Sequence, residues 1–445
     1  MKHVFFKRVM AMAAALMMLM SFMACSKGSD GGSQAAKDAD TIKVGMLGPF
    51  TGDNAVYGLA VRNGVELYMN QYNEKGGVNG KKIQMFFYDQ KGDSTEAITV
   101  FSRMVEQDGI TALIGDVLTG NTIAVAGEAY PIHMPMITAS ATAEAVTYDA
   151  ATDTVYDNVF RTCFTDPFQG EKMASFAYEK LGAKTAAAIY KNGDDYSVGL
   201  KDAFVKKCQE LGIEVVDQEG YAAGDMDFKA QLTNIHAKNP DVVFCPNYYE
   251  DDGLIVSQAR EIGLTATFLG GDGWAGVKNY ASAENLEGSY YCSAYASGTP
   301  EVAAFEEAYI AAYGKDTLNM FAALGYDAAM CMARALEEAE KTGEVPGSEA
   351  YKQAVIDGIR NSCGDLAGIT SPSGYSFDEH NNPIKDAVIM HLENGEEVFS
   401  QNYYVPPASR PVPCGSRAGA VQRSGLFAMT AGQTERLFVC IKNER

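Results

Sequence analysis

The chain has 445 residues, of which 47% are hydrophobic, and this supplies enough apolar material for the cores of two ordinary domains. Its 36 basic and 57 acidic residues give a net charge of -21. This balance argues against a nucleic-acid-binding protein, because neutralising phosphates requires a basic face. We expect a monomer, because the surface charges repel other copies of the chain.

Residues 1–25 have the pattern of a secretory signal peptide. Lys2 and Arg8 belong to a positive start, and residues 9–24 form an uncharged apolar run that is short for a membrane-spanning helix. The polar residues 26–40, which include several glycines and serines, predict a flexible linker. The sequence therefore predicts that the chain is exported.

Residues 22–25 resemble the lipobox of bacterial lipoproteins, with Phe22 where that motif usually has Leu. The resemblance implies that Cys25 is acylated and becomes the mature N-terminus. The acyl chains would hold the protein at a membrane surface without spanning the bilayer. The alternative is a simple secreted protein in which Cys25 is incidental.

Strand and helix patterns alternate along the chain from Thr41. Short apolar runs that end at turn residues predict buried strands, and stretches with helical spacing separate them. The predicted strands are 42–47, 83–88, 112–115 and 136–138, then 186–190, 242–245 and 267–270, and finally 375–377, 387–392 and 398–404. This alternation predicts an α/β protein with two doubly wound lobes, each built on a parallel sheet with helices on both faces. Asn394-Gly395 predicts a hairpin turn between the last two strands.

The loops that follow the strands are the candidate binding regions, because ligands of open α/β sheets bind outside the carboxyl ends of the strands. These loops contain small hydroxyl residues, acids and aromatic residues. They contain neither Lys nor Arg, which is unlike a phosphate or nucleotide site. They are 48–57, 116–122, 139–142, 192–196, 247–251 and 271–274.

Motifs of catalytic centres are missing from the sequence. It has no nucleophile elbow, Walker loop or His-Glu-x-x-His string, and its five His residues are scattered. Gly271, Gly273 and Gly276 imitate a dinucleotide motif, but the residues after them make a poor helix start. We therefore expect a protein that is not an enzyme and that uses no cofactor and no metal.

Short stretches in a fixed order and spacing carry a resemblance to the branched-chain amino acid binding proteins. This family consists of type I periplasmic binding proteins that serve ABC importers. The stretches are 42–45, 48–52, 57–58, 76–80, 120–122, 135–142, 195–196, 258–264 and 325–328, and the resemblance extends over about 41–404. It implies two lobes that are joined by a three-stranded hinge and close on a ligand. It places lobe 1 at 41–165 plus 294–374 and lobe 2 at 166–293 plus 375–405.

The resemblance also implies which residues hold the backbone groups of an amino acid. The hydroxyls of Thr119 and Thr142 would bind the α-carboxylate, and the backbone carbonyl of Ser140 would meet the α-ammonium. Tyr248 and Asp272 would hold the same ammonium, with Asp where the best-known members carry Glu. Such a set matches a zwitterion, which needs donors for its carboxylate and an acid for its ammonium.

Three aromatic residues, Tyr57, Tyr196 and Trp274, would line the side-chain pocket and the cleft mouth, which suits an apolar or mildly polar ligand. Plainer interpretations stay open. The aromatic residues could pack the lobe interface without touching ligand, and the two threonines could be strand-end caps. Asp272 could be a turn residue between two glycines.

Residues 406–445 depart from the composition of the rest of the chain. Five arginines occur in the last 36 residues, whereas the preceding 409 residues contain seven. Two interpretations compete, a disordered basic extension or an artefact of frameshifted translation or cloning.

Taken with the resemblance, the sequence predicts an extracytoplasmic solute-binding lipoprotein. It would bind a small neutral, branched-chain amino acid between its lobes and deliver it to the permease subunits of an ABC importer. Its location would be the outer face of the cytoplasmic membrane, or the periplasm. The alternative is a ligand-sensing receptor domain of the same fold, for amides or other small metabolites, that is not coupled to transport.

Overall fold

The computed structural model describes residues 41–402, the last two by their backbone alone. The predicted signal peptide, the linker, Cys25 and the tail at 406–445 lie outside these residues. The strands are β1 Thr41–Gly48, β2 Lys82–Asp89, β3 Ala112–Ile114, β4 Met136–Thr138, β5 Tyr148–Asp149, β6 Thr154–Val155, β7 Val159–Arg161, β8 Thr185–Lys191, β9 Glu214–Tyr221, β10 Val242–Phe244, β11 Thr267–Gly270, β12 Tyr290–Ser293, β13 Val388–Glu393 and β14 Glu396–Asn402. The helices are α1 Ala55–Glu74, α2 Ser94–Arg103, α3 Thr119–Ala129, α4 Asp166–Glu179, α5 Asp195–Leu211, α6 Lys229–Lys238, α7 Tyr249–Glu261, α8 Ala283–Leu286, α9 Ala303–Tyr313, α10 Met320–Lys341 and α11 Glu349–Ser362.

The first sheet has five parallel strands in the order β2-β1-β3-β4-β7. Strand β1 lies inside this sheet, and all of its residues from Val44 to Gly48 are buried. A strand that is covered on both faces needs apolar residues without alternation, and this explains the continuous hydrophobic run in its sequence.

The second sheet has seven strands in the order β14-β13-β12-β11-β10-β8-β9. Strands β8 to β12 pair in parallel, whereas β12, β13 and β14 pair antiparallel. The hairpin between β13 and β14 turns at Asn394 and Gly395, whose φ angles are 53° and 81°. Positive φ at both central residues is typical of the type I′ turn of two-residue hairpins, so this sequence signal is confirmed.

The longest helix, α10, packs against α1 through glycines. A Cβ atom at Gly64 would lie 2.0 Å from the carbonyl oxygen of Ala322, and one at Gly325 would lie 2.5 Å from that of Val61. Any larger residue at these two points would push the helices apart. This contact fixes the position of the α10 N-terminus, which matters for the site described below.

The chain passes between the two sheets three times. It leaves the first sheet after β7, leaves the second after β12 to form α9, α10 and α11, and returns to it at β13. We use "first lobe" for the first sheet with α1–α3 and α9–α11, and "second lobe" for the second sheet with α4–α8. The predicted fold class, two parallel α/β lobes with a three-stranded connection, is confirmed, while the exact lobe boundaries at 165, 293 and 374 stay a prediction.

The predicted strand at 375–377 is wrong. Only an isolated bridge between Phe377 and Pro383 occurs there, because this segment belongs to the third connection. Partly buried polar contacts hold that connection in place instead. The ammonium of Lys385 donates to the carbonyl of Thr162 at 2.9 Å and to the hydroxyl of Thr370 at 2.6 Å. Lys385 thereby ties the third connection to the first.

Within residues 41–402, none of the helices combines the length and the apolar character that crossing a bilayer would require.

Candidate ligand-binding site

One small cavity lies between the lobes, and residues from the loops after several strands line it. Its volume is about 20 Å³. The lining residues are Tyr57, Val117, Leu118, Thr119, Ser140, Tyr196, Tyr248, Asp272, Gly273 and Phe321. Six of the eight residues that the sequence singled out for the ligand are therefore brought together here, and Thr142 and Trp274 are not among them.

The first lobe contributes the hydroxyl residues. Thr119 begins α3, and its Oγ1 accepts a hydrogen bond from the backbone N–H of Thr142 at 3.3 Å. The hydroxyl of Ser140 donates to the carbonyl of Val117 at 2.7 Å, which ties the loop after β4 to the loop after β3. Helix α3 directs its N-terminus toward this region, where its unpaired N–H groups favour an anion such as a carboxylate.

Asp116 shapes the loop that presents these residues. Its Oδ1 accepts from the backbone N–H groups of Val117 and Leu118 and from Nε2 of Gln90. Its Oδ2 has no hydrogen-bond partner among the described residues. Burial raises the pKa of the Asp116 carboxyl to about 7, despite the donors that favour its charged form.

The second lobe contributes the acid. Asp272 is 2% exposed and follows β11 in a short 3₁₀ turn. Gln169 holds it at two points: Nε2 of Gln169 donates to Asp272 Oδ1 at 3.2 Å, and the backbone N–H of Asp272 donates to Gln169 Oε1 at 3.0 Å. Burial raises the pKa of Asp272 to about 6, while the side chains of Tyr196 and Gln169 oppose this rise. The carboxylate is thus oriented, and burial outweighs the hydrogen bonds that favour its charged form.

Aromatic rings fill the space between the lobes. Tyr196 and Tyr248 stack with their centroids 5.2 Å apart and their planes at 20°, and Tyr57 meets the edge of Phe321 at 4.8 Å. The hydroxyl of Tyr57, on the first lobe, donates to the carbonyl of Gly273 at 2.5 Å and accepts from the backbone N–H of Tyr249 at 3.0 Å. Both partners of this hydroxyl belong to the second lobe, so Tyr57 links the two.

The structure places Trp274 in the interior of the second lobe instead of in the cavity. Its side chain is 0% exposed, and its indole N–H donates to the carbonyl of Cys245 at 2.7 Å. The ring lies against the backbone of Gly270, where a Cβ atom would be 2.1 Å from it. The expectation that Trp274 lines the pocket is therefore not met, because its one polar group and its ring face already have partners.

Thr142 lies behind Thr119. Its side chain is 0% exposed, and its hydroxyl has no hydrogen-bond partner among the described residues. Its backbone N–H donates to Oγ1 of Thr119, which lines the cavity.

Besides Gly273, which lies next to Asp272 in a loop that the sequence indicated, sequence reasoning missed four residues of this site. Val117 and Leu118 lie in a loop that the strand pattern had indicated, but apolar residues there gave no separate signal. Phe321 comes from the N-terminus of α10, and Gln169 from α4, where no motif pointed to them. Only the packing of α10 on α1 and the approach of α4 to β11 bring them to the cavity.

Comparison with known proteins places the chain in a family. Residues 41–397 match the family described as periplasmic binding protein. The chain belongs to the periplasmic binding proteins. Family membership confirms the predicted fold, and also the prediction of a binding protein in place of an enzyme.

Relatives of this periplasmic binding protein include a Leu/Ile/Val-binding protein, BraC3, of Rhizobium johnstonii. The two are 30% identical over 322 residues, which is 71% of this chain and 84% of the relative. A leucine-binding protein, LivK, of Thermotoga maritima has a solved structure with a TM-score of 0.72 and 32% identity, covering 81% of this chain and 98% of that one. The branched-chain amino acid binding protein LivJ of Streptococcus pneumoniae, solved in complex with isoleucine, has a TM-score of 0.71 and 31% identity over 80% and 97% of the two chains.

Among residues 41–402, no group of three or more His, Cys, Asp or Glu side chains is arranged to hold a metal ion. The residues that line the cavity offer hydroxyl groups, a carboxylate, and aromatic and aliphatic surface.

Proposed function

We propose that the chain is an exported solute-binding lipoprotein that binds a small neutral, branched-chain amino acid between its lobes and delivers it to an ABC importer. One observation carries the proposal: a buried, oriented carboxylate, Asp272, shares an aromatic-lined cavity with the hydroxyl residues Thr119 and Ser140. Acid on one lobe and hydroxyls on the other form a set that matches the two charges of an amino acid.

Asp272 would bind the α-ammonium. An ammonium beside this carboxylate stabilises its ionised form, which burial disfavours. Hydrogen bonds to charged groups contribute about 1.5–3 kcal/mol each. Tyr248, which lines the same cavity, and the backbone carbonyl of Ser140 are the further acceptors that the proposal assigns to the ammonium.

The hydroxyls of Thr119 and Thr142 would bind the α-carboxylate, together with the N-terminus of α3. The absence of any partner for the Thr142 hydroxyl among residues 41–402 supports this assignment, because a buried hydroxyl is normally hydrogen-bonded. Thr119 Oγ1, which already accepts from the Thr142 N–H, keeps its own proton to donate.

The ligand side chain would contact an apolar wall. Val117, Leu118, Phe321 and the ring of Tyr57 supply aliphatic and aromatic surface without a charged group among them. Such a wall stabilises an aliphatic side chain by about 25 cal/mol per Å² of buried apolar area and leaves a charged one unsolvated. The names of the relatives, which include leucine, isoleucine and valine, agree with this choice.

Binding would require the lobes to move apart and close again. The cavity of about 20 Å³ holds roughly one water molecule, which is far less than an amino acid needs. The two hydrogen bonds of the Tyr57 hydroxyl must break when the lobes part. Closure around a ligand would then exclude water and strengthen the charge pairing.

A thermal-shift screen of the twenty amino acids and short amides, followed by calorimetry, tests the ligand assignment. We expect leucine, isoleucine or valine to raise Tm, with a micromolar or tighter Kd, because a ligand that binds only the folded state stabilises it. Lysine and glutamate should have no effect. Stabilisation by charged amino acids alone, or by none of the twenty, would contradict the proposal.

Cys25 offers a separate test of the anchor. In a bacterial host, the unchanged chain should partition with membranes and the variant Cys25→Ser should appear in the soluble exported fraction, because acyl chains supply the membrane affinity. Both forms should bind the same amino acid. Equal partitioning of the two would remove the lipoprotein part of the proposal and leave ligand binding untouched.

A further inference from the structure

A second, larger depression lies between the lobes, and its volume is about 370 Å³. We call it the acidic groove, because four carboxylate side chains, Glu144, Asp166, Asp194 and Asp195, are among its lining residues. The others are Ile123, Ala143, Ala145, Pro167, Gly193, Val198 and Gly199. Lys, Arg and His are missing from this lining.

Asp166 lies at the buried end of the groove. It is 1% exposed, and neither of its carboxylate oxygens has a hydrogen-bond partner among residues 41–402. The Thr142 hydroxyl is near enough to favour the charged form, but outside hydrogen-bond geometry. Burial, and next the charge of Asp272, raise the pKa of Asp166 well above its usual value. A buried carboxylate without partners is costly, so it indicates a group that a bound cation would satisfy.

The nearby cations are engaged elsewhere. The guanidinium of Arg161 donates to the carbonyls of Ala141 and Ala143 at 2.8 and 2.9 Å. The ammonium of Lys191 lies 3.3 Å from the carboxylate of Asp251. The charges of Arg161 and Lys191 lower the pKa values of Asp166 and Asp194, but burial outweighs them, so the described part of the chain compensates the charge of the acidic groove only in part.

The acidic residues of the groove become more deeply buried from its rim to its interior. Glu144 on the first lobe and Asp195 on the second are exposed. Asp194 is partly buried and caps α5 by accepting from the backbone N–H of Ser197 at 2.9 Å, and burial raises its pKa. A cation would therefore be drawn from an exposed rim to the unpartnered Asp166.

Gly199 lies directly against Asp166. It lines the groove on α5, and a Cβ atom there would lie 3.1 Å from Asp166 Oδ2. Any side chain at this position would cover that carboxylate oxygen. Glycine in the interior of a helix is unfavourable by about 1 kcal/mol relative to alanine, so the close approach of α5 to the Asp166 carboxylate is a physical reason for its presence.

We propose that the acidic groove is a second ligand site, which binds a small organic cation with a primary ammonium or guanidinium group on a short carbon chain. Its volume lies in the range of small-molecule pockets. A bare metal ion is a poorer occupant, because the described residues contain no three-ligand set. The groove is a separate depression from the cavity that holds Asp272, but Asp166 lies close to Thr142 and Asp272, so leucine binding is measured in the same variants to tell the two proposals apart.

Calorimetry with agmatine and with 1,4-diaminobutane, at physiological ionic strength, tests the proposal, with 1-butanol as the neutral control. We expect saturable binding of one molecule per chain for at least one cation and none for the alcohol. Asp166→Asn should weaken that binding at least about tenfold, because it removes the charge that pairs with the cation. The neutral amide relieves a buried charge, so the variant should remain folded, and its thermal unfolding verifies this.

Two further variants separate a built site from general attraction to a chain of net charge -21. Gly199→Ala leaves the charge unchanged but places a methyl group against the Asp166 carboxylate, and it should also weaken binding about tenfold. Asp202→Asn removes an exposed charge from the same helix, outside the groove, and should leave the Kd within about twofold, because exposed charges are well screened. Equal losses in Asp166→Asn and Asp202→Asn, unsaturable heats, binding only of long polycationic peptides, or no binding at all would overturn the proposal.

Discussion

Asp272→Asn should change ligand affinity and protein stability in opposite directions. The pKa of Asp272 is raised from 3.8 to about 6. Above that pH the ionised carboxylate therefore lowers the free energy of unfolding by about 3 kcal/mol. Asparagine keeps an oxygen for the hydrogen bond from Gln169 but carries no charge. We therefore expect the ligand-free variant to be more stable than the parent at about pH 8, by up to ~3 kcal/mol.

The same change should weaken amino-acid binding. Removal of one partner of a buried charge pair costs about 3–5 kcal/mol, and loss of a charged hydrogen bond about 1.5–3 kcal/mol. A loss of about 2–4 kcal/mol corresponds to a Kd increase of roughly 30- to 1000-fold. Calorimetry with leucine measures this loss, and urea unfolding without ligand measures stability.

The control is Asp202→Asn, whose carboxylate is exposed and pairs with Lys201 outside both depressions. It should leave affinity and stability nearly unchanged. An unaltered leucine Kd in Asp272→Asn would remove Asp272 from the site. A variant that binds weakly and is also strongly destabilised would show instead that Asp272 has a structural role.

Further predictions concern pH, closure and the loop after β3. Leucine affinity should fall as the pH drops through about 6, by up to about tenfold per pH unit, because protonated Asp272 cannot pair with an ammonium. Calorimetry should show this pH dependence of the Kd in the parent and not in Asp272→Asn. Tyr57→Phe removes the hydroxyl that joins the lobes and should weaken leucine binding by about 1–3 kcal/mol, with a larger radius of gyration in X-ray scattering; an unchanged Kd would contradict this role. The folded-state pKa of Asp116 exceeds its usual 3.8, so the stability that Asp116 contributes is lost as the pH rises from about 4 to 7. Asp116→Asn should abolish this part of the pH dependence of the free energy of unfolding and stabilise the protein at about pH 8 by ~1–3 kcal/mol. Equal pH profiles of the parent and the variant would refute this prediction.

The sequence by itself determined the fold class and the loops that line the candidate site. Periodicity is a property of neighbouring residues, so the alternation of apolar runs and helical stretches was enough to predict parallel sheets. The hairpin at Asn394 and Gly395 follows from local backbone conformation. The rule that ligands lie beyond the carboxyl ends of strands then indicated the loops of Thr119, Ser140 and Asp272.

Only the tertiary structure decided which side chains face the cavity. Gln169 and Asp272 are 103 positions apart, and no local pattern links them. The Trp274 side chain lies inside the second lobe, because its indole N–H bonds to the Cys245 carbonyl and its ring packs on Gly270. Phe321 lines the cavity because α10 packs on α1. Contacts of this kind depend on how distant elements meet, and side-chain direction at such a meeting is set by packing and not by residue type.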